Sequence, residues 1–279
     1  MPRNQRATSI TGQTFNFKGK AALVTGSARG IGRTIAAAFG HAGARVAICD
    51  IDRNTSKATV LDFQKSGIDA QHFSVDLSKM GEPQRMVAEV AEKFGRLDIL
   101  VNNARAGVRR DLPEDTEENW DLTMSVGLRA AYFACREAIP IMRSGGGGSI
   151  VNISSISAFL VSQECAAYHA AKAGMMQLTR YLAAHAGKGM VRVNSVLPGF
   201  IVQDEHKKRY FSDENVDYRI RAERCHPLGR VGHASDVAEA ALFLCSDSAS
   251  FITGHAIVVD GGFTIQDSWT AISAVATSL

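Results

Sequence analysis

The feature that most constrains this 279-residue chain is a repeated alternation of short apolar segments with longer helix-like ones. Segments 20–26 (KAALVTG), 44–50 (ARVAICD) and 97–103 (LDILVNN) are apolar without a polar residue at every second position. Segment 82–95 instead repeats apolar side chains at helical spacing. This order predicts parallel strands joined by helices, because strands covered on both faces must be apolar on both sides.

The whole pattern predicts one α/β domain. Strands are expected at 20–26, 44–50, 70–76, 97–103, 149–155, 190–199 and 256–262, and the main helices at 31–43, 53–67, 82–95, 117–143, 164–187 and 235–246. We assign residues 1–17 to an N-terminal extension, 18–263 to the domain and 264–279 to a C-terminal tail. Packing of this tail on a neighbouring subunit is one interpretation.

Composition and charge exclude several classes of function. The chain is 46% apolar and 21% charged with a net charge of +3, its basic residues are dispersed, and no nucleic-acid-binding motif occurs. The five cysteines are scattered and neither C-x-x-C nor H-E-x-x-H is present, which favours a reduced, cytoplasmic protein without a metal site. Neither a signal peptide nor an apolar run of about 18 residues is found, so no membrane partner is expected.

A glycine-rich stretch, TGSARGIG at 25–32, stands between the first strand and the first helix. Glycines there permit a tight turn and let a diphosphate approach the helix N-terminus. Asp50 ends the second strand, where a carboxylate would bind the ribose of an adenosine. Because this carboxylate would repel a 2′-phosphate, the sequence favours NAD. Arg29 in the loop would favour that phosphate, so NADP is the alternative.

Tyr168 and Lys172 are four residues apart in the alanine-rich segment 166–174 (AAYHAAKAG). Such residues share one face of a helix. A neighbouring ammonium group lowers the pKa of a tyrosine, which can then exchange a proton with a substrate oxygen. Two exposed side chains on a helix would have the same spacing, so the motif depends on the rest of the chain.

The motifs in their order resemble those of the short-chain dehydrogenase/reductase family over roughly residues 18–263. They are TGSARGIG (25–32), SVDLS (74–78), NNA (102–104), NISS (152–155), YHAAK (168–172), NSVLPG (194–199) and ITGHAIVVDGG (252–262). The resemblance implies a Rossmann-like three-layer sandwich with a seven-stranded parallel sheet. It also implies a homodimer or homotetramer that transfers a hydride between NAD(P) and a small-molecule alcohol or ketone.

Motif matching implies a role for each site residue. Tyr168 would be the general acid/base, Lys172 would bind the nicotinamide ribose and lower the pKa of Tyr168, and Ser155 would bind the substrate oxygen. Ser154 is the rival for the serine role, but it would point to the opposite face of the strand. The implied cofactor-binding residues, besides Tyr168 and Lys172, are Gly26, Ser27, Arg29, Gly30, Ile31, Gly32, Asp50, Asp76, Leu77, Asn103, Ala104, Pro198, Gly199 and Ile201.

Three positions depart from the family pattern. Arg105 replaces a usual Gly and is either an anchor for a substrate carboxylate or phosphate or a solvated loop residue. Gly127 replaces an Asn that holds a water beside the lysine. This puts the proton relay in question and leaves, as the alternative function, a nucleotide-binding protein of this fold with weak or lost catalysis. Gln203 replaces a Thr that touches the nicotinamide amide and, with Arg105, is a candidate substrate contact.

The segment 204–230 is expected to form a lid over the substrate, by the same resemblance. It is rich in charges of both signs. Together with Arg105 it favours a small polar substrate, such as a sugar, a polyol or a sugar acid.

Overall fold

The apolar segments form the strands of one parallel sheet in the computed structural model, which describes residues 15–267. The strands are β1 (Ala21–Thr25), β2 (Arg45–Asp50), β3 (Ala70–Ser74), β4 (Ile99–Asn102), β5 (Gly148–Ile153), β6 (Val191–Pro198), β7 (Ile201–Val202), β8 (Gly232–His233) and β9 (Ala256–Val259). Seven of them form the sheet in the order β3-β2-β1-β4-β5-β6-β9, every pair parallel. This is the predicted fold class.

Helices cover both faces of this sheet. They are α1 (Gly30–His41), α2 (Arg53–Lys65), α3 (Glu82–Phe94), α4 (Glu117–Met124), α5 (Ala130–Ser144), α6 (Ala166–Ala186), α7 (Asp204–Tyr210), α8 (Val216–Arg224) and α9 (Ala234–Cys245). The expected single helix at 117–143 is instead two helices separated by a π-helical turn at Ser125–Arg129. Within residues 15–267, no helix has both the length and the apolar character that crossing a bilayer requires.

The core consists of two layers because successive strand residues face opposite sides of the sheet. Leu23 and Leu100 pack in one layer with side chains of α3 and α5. Their neighbours Val24 and Val101 pack in the other layer with side chains of α1 and α9. Two covered faces explain why these strands are apolar up to their last residues, Thr25 and Asn102.

The folded core begins earlier than the sequence boundary at residue 18. Phe17 is buried, its ring lies 5.1 Å from that of Phe39, and its backbone N–H donates to the Ala42 carbonyl. Apolar burial therefore assigns this residue to the domain rather than to the extension. Residues 1–14 and 268–279, which hold most of the predicted extension and tail, lie outside the described residues.

The strand order reverses direction at β1, which has β2 on one side and β4 on the other. In open sheets of this kind, ligands bind beyond the carboxyl ends of the strands at this reversal. The segment beyond β6 contains α7, α8 and the short pair β7–β8, which the sequence pattern did not predict.

Candidate active site

The glycine-rich loop after β1 is fastened to β2. Gly26 and Gly30 have φ of +62° and +59°, a region that favours glycine. The Gly26 N–H donates to the Cys49 carbonyl, while the Ser27 hydroxyl donates to the Val24 carbonyl and accepts from the Cys49 N–H. Ser27 is thus a buried structural residue of the loop.

The same loop packs closely against the end of β4. The Asn103 side chain donates to the carbonyls of Thr25 and Gly26 at 2.9 and 3.0 Å. A Cβ on Gly26 would come within 2.8 Å of Ala104 Cα, and a Cβ on Gly32 would overlap the Gly26 carbonyl oxygen. The glycines therefore allow α1, the loop and β4 to meet without side chains between them.

These features fit the diphosphate of a dinucleotide. No side chain caps the N-terminus of α1, and its first turn contains no acidic residue. The first N–H groups of a helix and its dipole favour an anion at such a position. Asp50 lies beside the loop, where its carboxylate accepts from the N–H groups of Ala28 and Asp52.

Arg29 is mostly exposed, and its nearest ion-pair partner is Asp52 at 4.0 Å. Ile31, the next residue but one, packs against the core layer of α1 and α9. Arg29 is therefore the more exposed of the two, while Ile31, in the first turn of α1, is partly buried.

The other predicted cofactor residues lie at the carboxyl edge of the sheet. Asp76 follows β3, and its pKa is lowered chiefly by a hydrogen bond from the Ser78 hydroxyl, while the neighbouring Leu77 is buried. Pro198 ends β6. A Cβ on Gly199 would lie 2.5 Å from the Asp260 Cβ. Ile201 begins β7.

Ser155, Tyr168 and Lys172 are brought together between β5 and α6. Lys172 is buried, its Nζ donates to the Ile153 carbonyl at 2.7 Å, and it lies 5.4 Å from the centre of the Tyr168 ring. The Ser155 hydroxyl hydrogen-bonds with Tyr168 and lowers its pKa. Ser154, the rival serine, donates its hydroxyl to the Lys172 carbonyl and is turned to the helix backbone.

The pKa of Tyr168 differs in direction from the sequence expectation. Burial raises it, and this outweighs the lowering by the Ser155 hydrogen bond and by the positive charge of Arg105. Burial and then Arg105 lower the pKa of Lys172 itself to about 8, so its ammonium form is weakened but still prevails at neutral pH. The expected net lowering by Lys172 is therefore wrong. Desolvation disfavours the phenolate and the ammonium alike.

Arg105 is part of a charged cluster at the tyrosine. Its guanidinium carbon lies 5.2 Å from the centre of the Tyr168 ring, and its Nη1 is 3.5 Å from Glu164. Arg109 makes the closer ion pair with Glu164, at 2.9 Å. The Glu164 side chain is 11% exposed, whereas that of Arg105 is 48% exposed. The structure therefore places Arg105 beside Tyr168 rather than in a remote part of the loop.

Gly127 lies in the π-helical turn between α4 and α5 and is buried. A Cβ there would lie 3.4 Å from the Ala171 Cβ, so the position is not crowded by backbone. The helix keeps its distortion without the usual Asn, as the conformational freedom of glycine allows. A cavity of about 10 Å³ borders Gly127, Asn102 and Met175, which is room for about one water molecule.

Gln203 lies against the glycine-rich loop. A Cβ on Gly30 would overlap the Gln203 side-chain oxygen and would approach Glu205. This contact groups Gln203 with the cofactor loop. Its candidate role as a substrate contact receives no such geometric support.

Two residues of the site were not identified from the sequence. Glu164 pairs with both arginines, and His169 receives a hydrogen bond from the N–H of Ser162 at 3.0 Å. Their positions close to Tyr168 in the chain were the only signal available. The arginine partners of Glu164 come from a distant loop, and periodicity does not reveal such contacts.

Known proteins resemble this chain over nearly the whole of its described length. A family model described as Enoyl-(Acyl carrier protein) reductase matches residues 26–264. "Probable galactose dehydrogenase" of Rhizobium meliloti (strain 1021) is 38% identical over 256 residues, covering 91% of this chain and 99% of that protein. D-threitol dehydrogenase of Mycolicibacterium smegmatis is 36% identical over 256 residues, covering 90% and 95%.

A solved structure has the same fold. It is a gluconate 5-dehydrogenase from Burkholderia cenocepacia J2315 in complex with NADP and tartrate. It superposes with a TM-score of 0.82 at 29% sequence identity, covering 91% of this chain and 98% of the other. The sequence matches, the strand order and the fit of the loop to a dinucleotide all support the same family assignment. The chain belongs to the short-chain dehydrogenase/reductase family, and it is an NAD(P)-dependent oxidoreductase acting on CH–OH groups.

Proposed function

We propose that Tyr168, Lys172 and Ser155 catalyse the interconversion of a hydroxyl and a carbonyl group in a small polyhydroxy substrate. The observation that carries this proposal is the meeting of these three side chains at the carboxyl edge of the sheet. Bound NAD(P) supplies or accepts the hydride. The protein residues then have to orient the substrate oxygen and move its proton.

Tyr168 holds the proton that the substrate oxygen gains or loses. Its raised pKa keeps the phenol protonated at neutral pH, as proton donation to a carbonyl requires. Alcohol oxidation needs the phenolate and is therefore favoured at higher pH. Ser155 donates its hydroxyl to the same substrate oxygen.

Lys172 is suited to exchange a proton with its surroundings. Its pKa of about 8 lies close to the working pH of most proteins. Its ammonium group donates to the Ile153 carbonyl, and Gly127 offers no side chain to carry a proton onward. We therefore assign the proton path beyond Lys172 to backbone carbonyls and water. A failure of this path would lead to the alternative function, nucleotide binding with weak catalysis.

For the cofactor, we propose NAD as the preferred form. The Asp50 carboxylate is fixed beside the loop by two backbone N–H groups, so it would stand close to a 2′-phosphate and repel it. Arg29 would attract a 2′-phosphate only weakly, because its side chain is exposed and lies near the carboxylate of Asp52. NADP is the alternative, as the gluconate 5-dehydrogenase complex contains it.

For the substrate, we propose a sugar, a polyol or a sugar acid. The relatives are named for galactose, threitol and gluconate, which are all polyhydroxy compounds. Positive charges outnumber negative ones around Tyr168, where Arg105, Arg109 and Lys172 face the single carboxylate of Glu164. A cleft with an excess of positive charge attracts a negatively charged substrate. This favours a sugar acid, with Arg105 binding its carboxylate. The family resemblance further supports a cytoplasmic homodimer or homotetramer as part of the proposal.

The function is tested by following the formation or loss of the reduced nicotinamide cofactor through its absorbance. Sugar acids, sugars, polyols and their ketones are each supplied with NAD and with NADP. We expect turnover of at least one polyhydroxy substrate, faster with NAD, and we expect oxidation to accelerate as the pH rises. Saturable cofactor binding without turnover of any compound would instead support the alternative function.

Arg105→Gln tests the preference for an acid. The variant removes a charged hydrogen-bond donor, so kcat/KM for a sugar acid relative to its matched neutral polyol is expected to fall about 10- to 100-fold. The ratio is measured at the pH optimum of each variant. Losing the positive charge raises the pKa of Tyr168 and moves the oxidation profile to higher pH.

Arg110→Gln is the matched control for this change. It removes the same charge from the same loop, but the Arg110 guanidinium contacts the Glu114 carbonyl rather than the cluster at Tyr168. An unchanged ratio of acid to neutral substrate in Arg105→Gln would rule out Arg105 as the carboxylate anchor.

A further inference from the structure

A chain of hydrogen bonds links the Ser155 hydroxyl to His169, the residue next to Tyr168. The Ser157 N–H donates to Ser155 Oγ at 3.1 Å, and Ser157 Oγ lies 2.9 Å from Ser162 Oγ. The Ser162 N–H then donates to His169 Nε2 at 3.0 Å. The chain joins both ends of the loop between β5 and α6.

These bonds fix which ring nitrogen of His169 accepts a hydrogen bond and which one donates. Because a backbone N–H can only donate, Nε2 must accept and carries no proton. Nδ1 then carries the proton and donates it to the Cys165 carbonyl at 2.9 Å. The imidazole is therefore held by hydrogen bonds at both nitrogens. A residue with an acceptor at the Nε2 position is needed to keep the Ser162 bond.

The same bonds orient the hydroxyl of Ser155. This serine begins the short 3-10 helix Ile156–Ala158, and its oxygen accepts from the Ser157 N–H. One lone pair is thereby occupied by a fixed donor, so the hydroxyl hydrogen is directed away from the loop backbone. A loop held in place keeps this hydrogen available for Tyr168 and the substrate oxygen.

We propose that His169 is a positioning residue, which acts by holding the loop 156–163 against α6 so that Ser155 and Tyr168 keep their relative placement. The inference rests on the proposed function of these two residues. His169 itself contacts neither substrate nor cofactor in this scheme. Its contribution passes through Ser162 and Ser157.

The test compares His169→Phe with His169→Gln. The amide oxygen of Gln can take the place of the Nε2 acceptor, whereas Phe fills the space without accepting. We expect kcat to fall about 10- to 100-fold in His169→Phe, because small misplacements of catalytic groups have effects of this size. KM for the cofactor should stay unchanged, and His169→Gln should recover most of kcat.

Hydrogen exchange of residues 156–163 supplies a second measurement, independent of turnover. Exchange at Ser162 should be faster in His169→Phe and close to wild type in His169→Gln. His185→Phe is the matched control. It lies on the same helix with the same bond from Nδ1 to the carbonyl four residues earlier, but it is exposed and far from this loop.

Ser157→Ala interrupts the chain without altering α6, and it should lower kcat as His169→Phe does. Wild-type kcat and exchange in His169→Phe would overturn the inference. So would equal impairment by Phe and Gln, which would indicate packing rather than hydrogen bonding. If the wild type turns over no substrate, the proposed function fails. Hydrogen exchange then still decides whether His169 holds the loop.

Discussion

Tyr168→Phe is expected to lower kcat about 10²- to 10⁴-fold, the usual contribution of a general acid or base. The variant removes only the phenolic hydroxyl, which is the group proposed to exchange a proton with the substrate oxygen. Its ring keeps the contacts with Arg105 and Lys172 at 5.2 and 5.4 Å. The cofactor affinity should therefore stay within the range of the wild type. Nicotinamide absorbance and a cofactor titration measure the two quantities.

The matched control is Tyr181→Phe on the same helix. Tyr181 is exposed and packs on the ring of His185, away from the proposed catalytic residues. Its loss of a hydroxyl should leave kcat unchanged. Turnover by Tyr168→Phe close to that of the wild type would show that another group moves the proton.

The sheet was predictable because its physical requirement is visible in the sequence. Strands such as β1 and β4 are buried at every residue, and all of their residues except the last, Thr25 and Asn102, are apolar. The glycine-rich loop was predictable for a related reason, since a turn with positive φ at Gly26 and Gly30 favours glycine. These signals are local, and each stands within a few residues of the structure that it predicts.

Interruptions of the helices and the shortest strands were harder to predict from the sequence. The continuous helix expected at 117–143 contains a π-helical turn, which packs against α6. Apart from Gly127, no residue in the sequence marks the position of this turn. The segment 204–230, which was expected to form a lid, contains α7 and α8, and the short β7–β8 pair flanks it. Strands of two residues carry too little pattern to be recognised.

The electrostatics of the site could not be read from spacing. The separation of Tyr168 and Lys172 suggested a lowered tyrosine pKa, but the structure buries both groups and raises it. Arg105 and Glu164 are 59 residues apart and meet only in the fold. Burial and long-range partners decide such pKa values, and neither is a property of one short motif.

The second large effect is expected from Gly32→Ala. A Cβ at this position would overlap the Gly26 carbonyl oxygen and the Asn103 side-chain nitrogen. The backbone oxygen cannot turn aside, so the loop has to move and its hydrogen bonds from Asn103 weaken. Overpacking of this kind costs about 1–3 kcal/mol. We expect a comparable loss in the free energy of unfolding.

The Gly32→Ala variant should also bind the cofactor less tightly, because the N–H groups that would meet the diphosphate belong to the displaced loop. A loss of this size corresponds to an affinity about 10- to 100-fold lower. Calorimetric titration with NAD, well below the unfolding temperature, measures it on folded protein. Gly187→Ala is the matched control, since Gly187 has a negative φ of −58° and open space at its Cβ position. Unchanged NAD affinity in Gly32→Ala would mean that the diphosphate does not depend on this loop, and the assignment of the cofactor site would have to change.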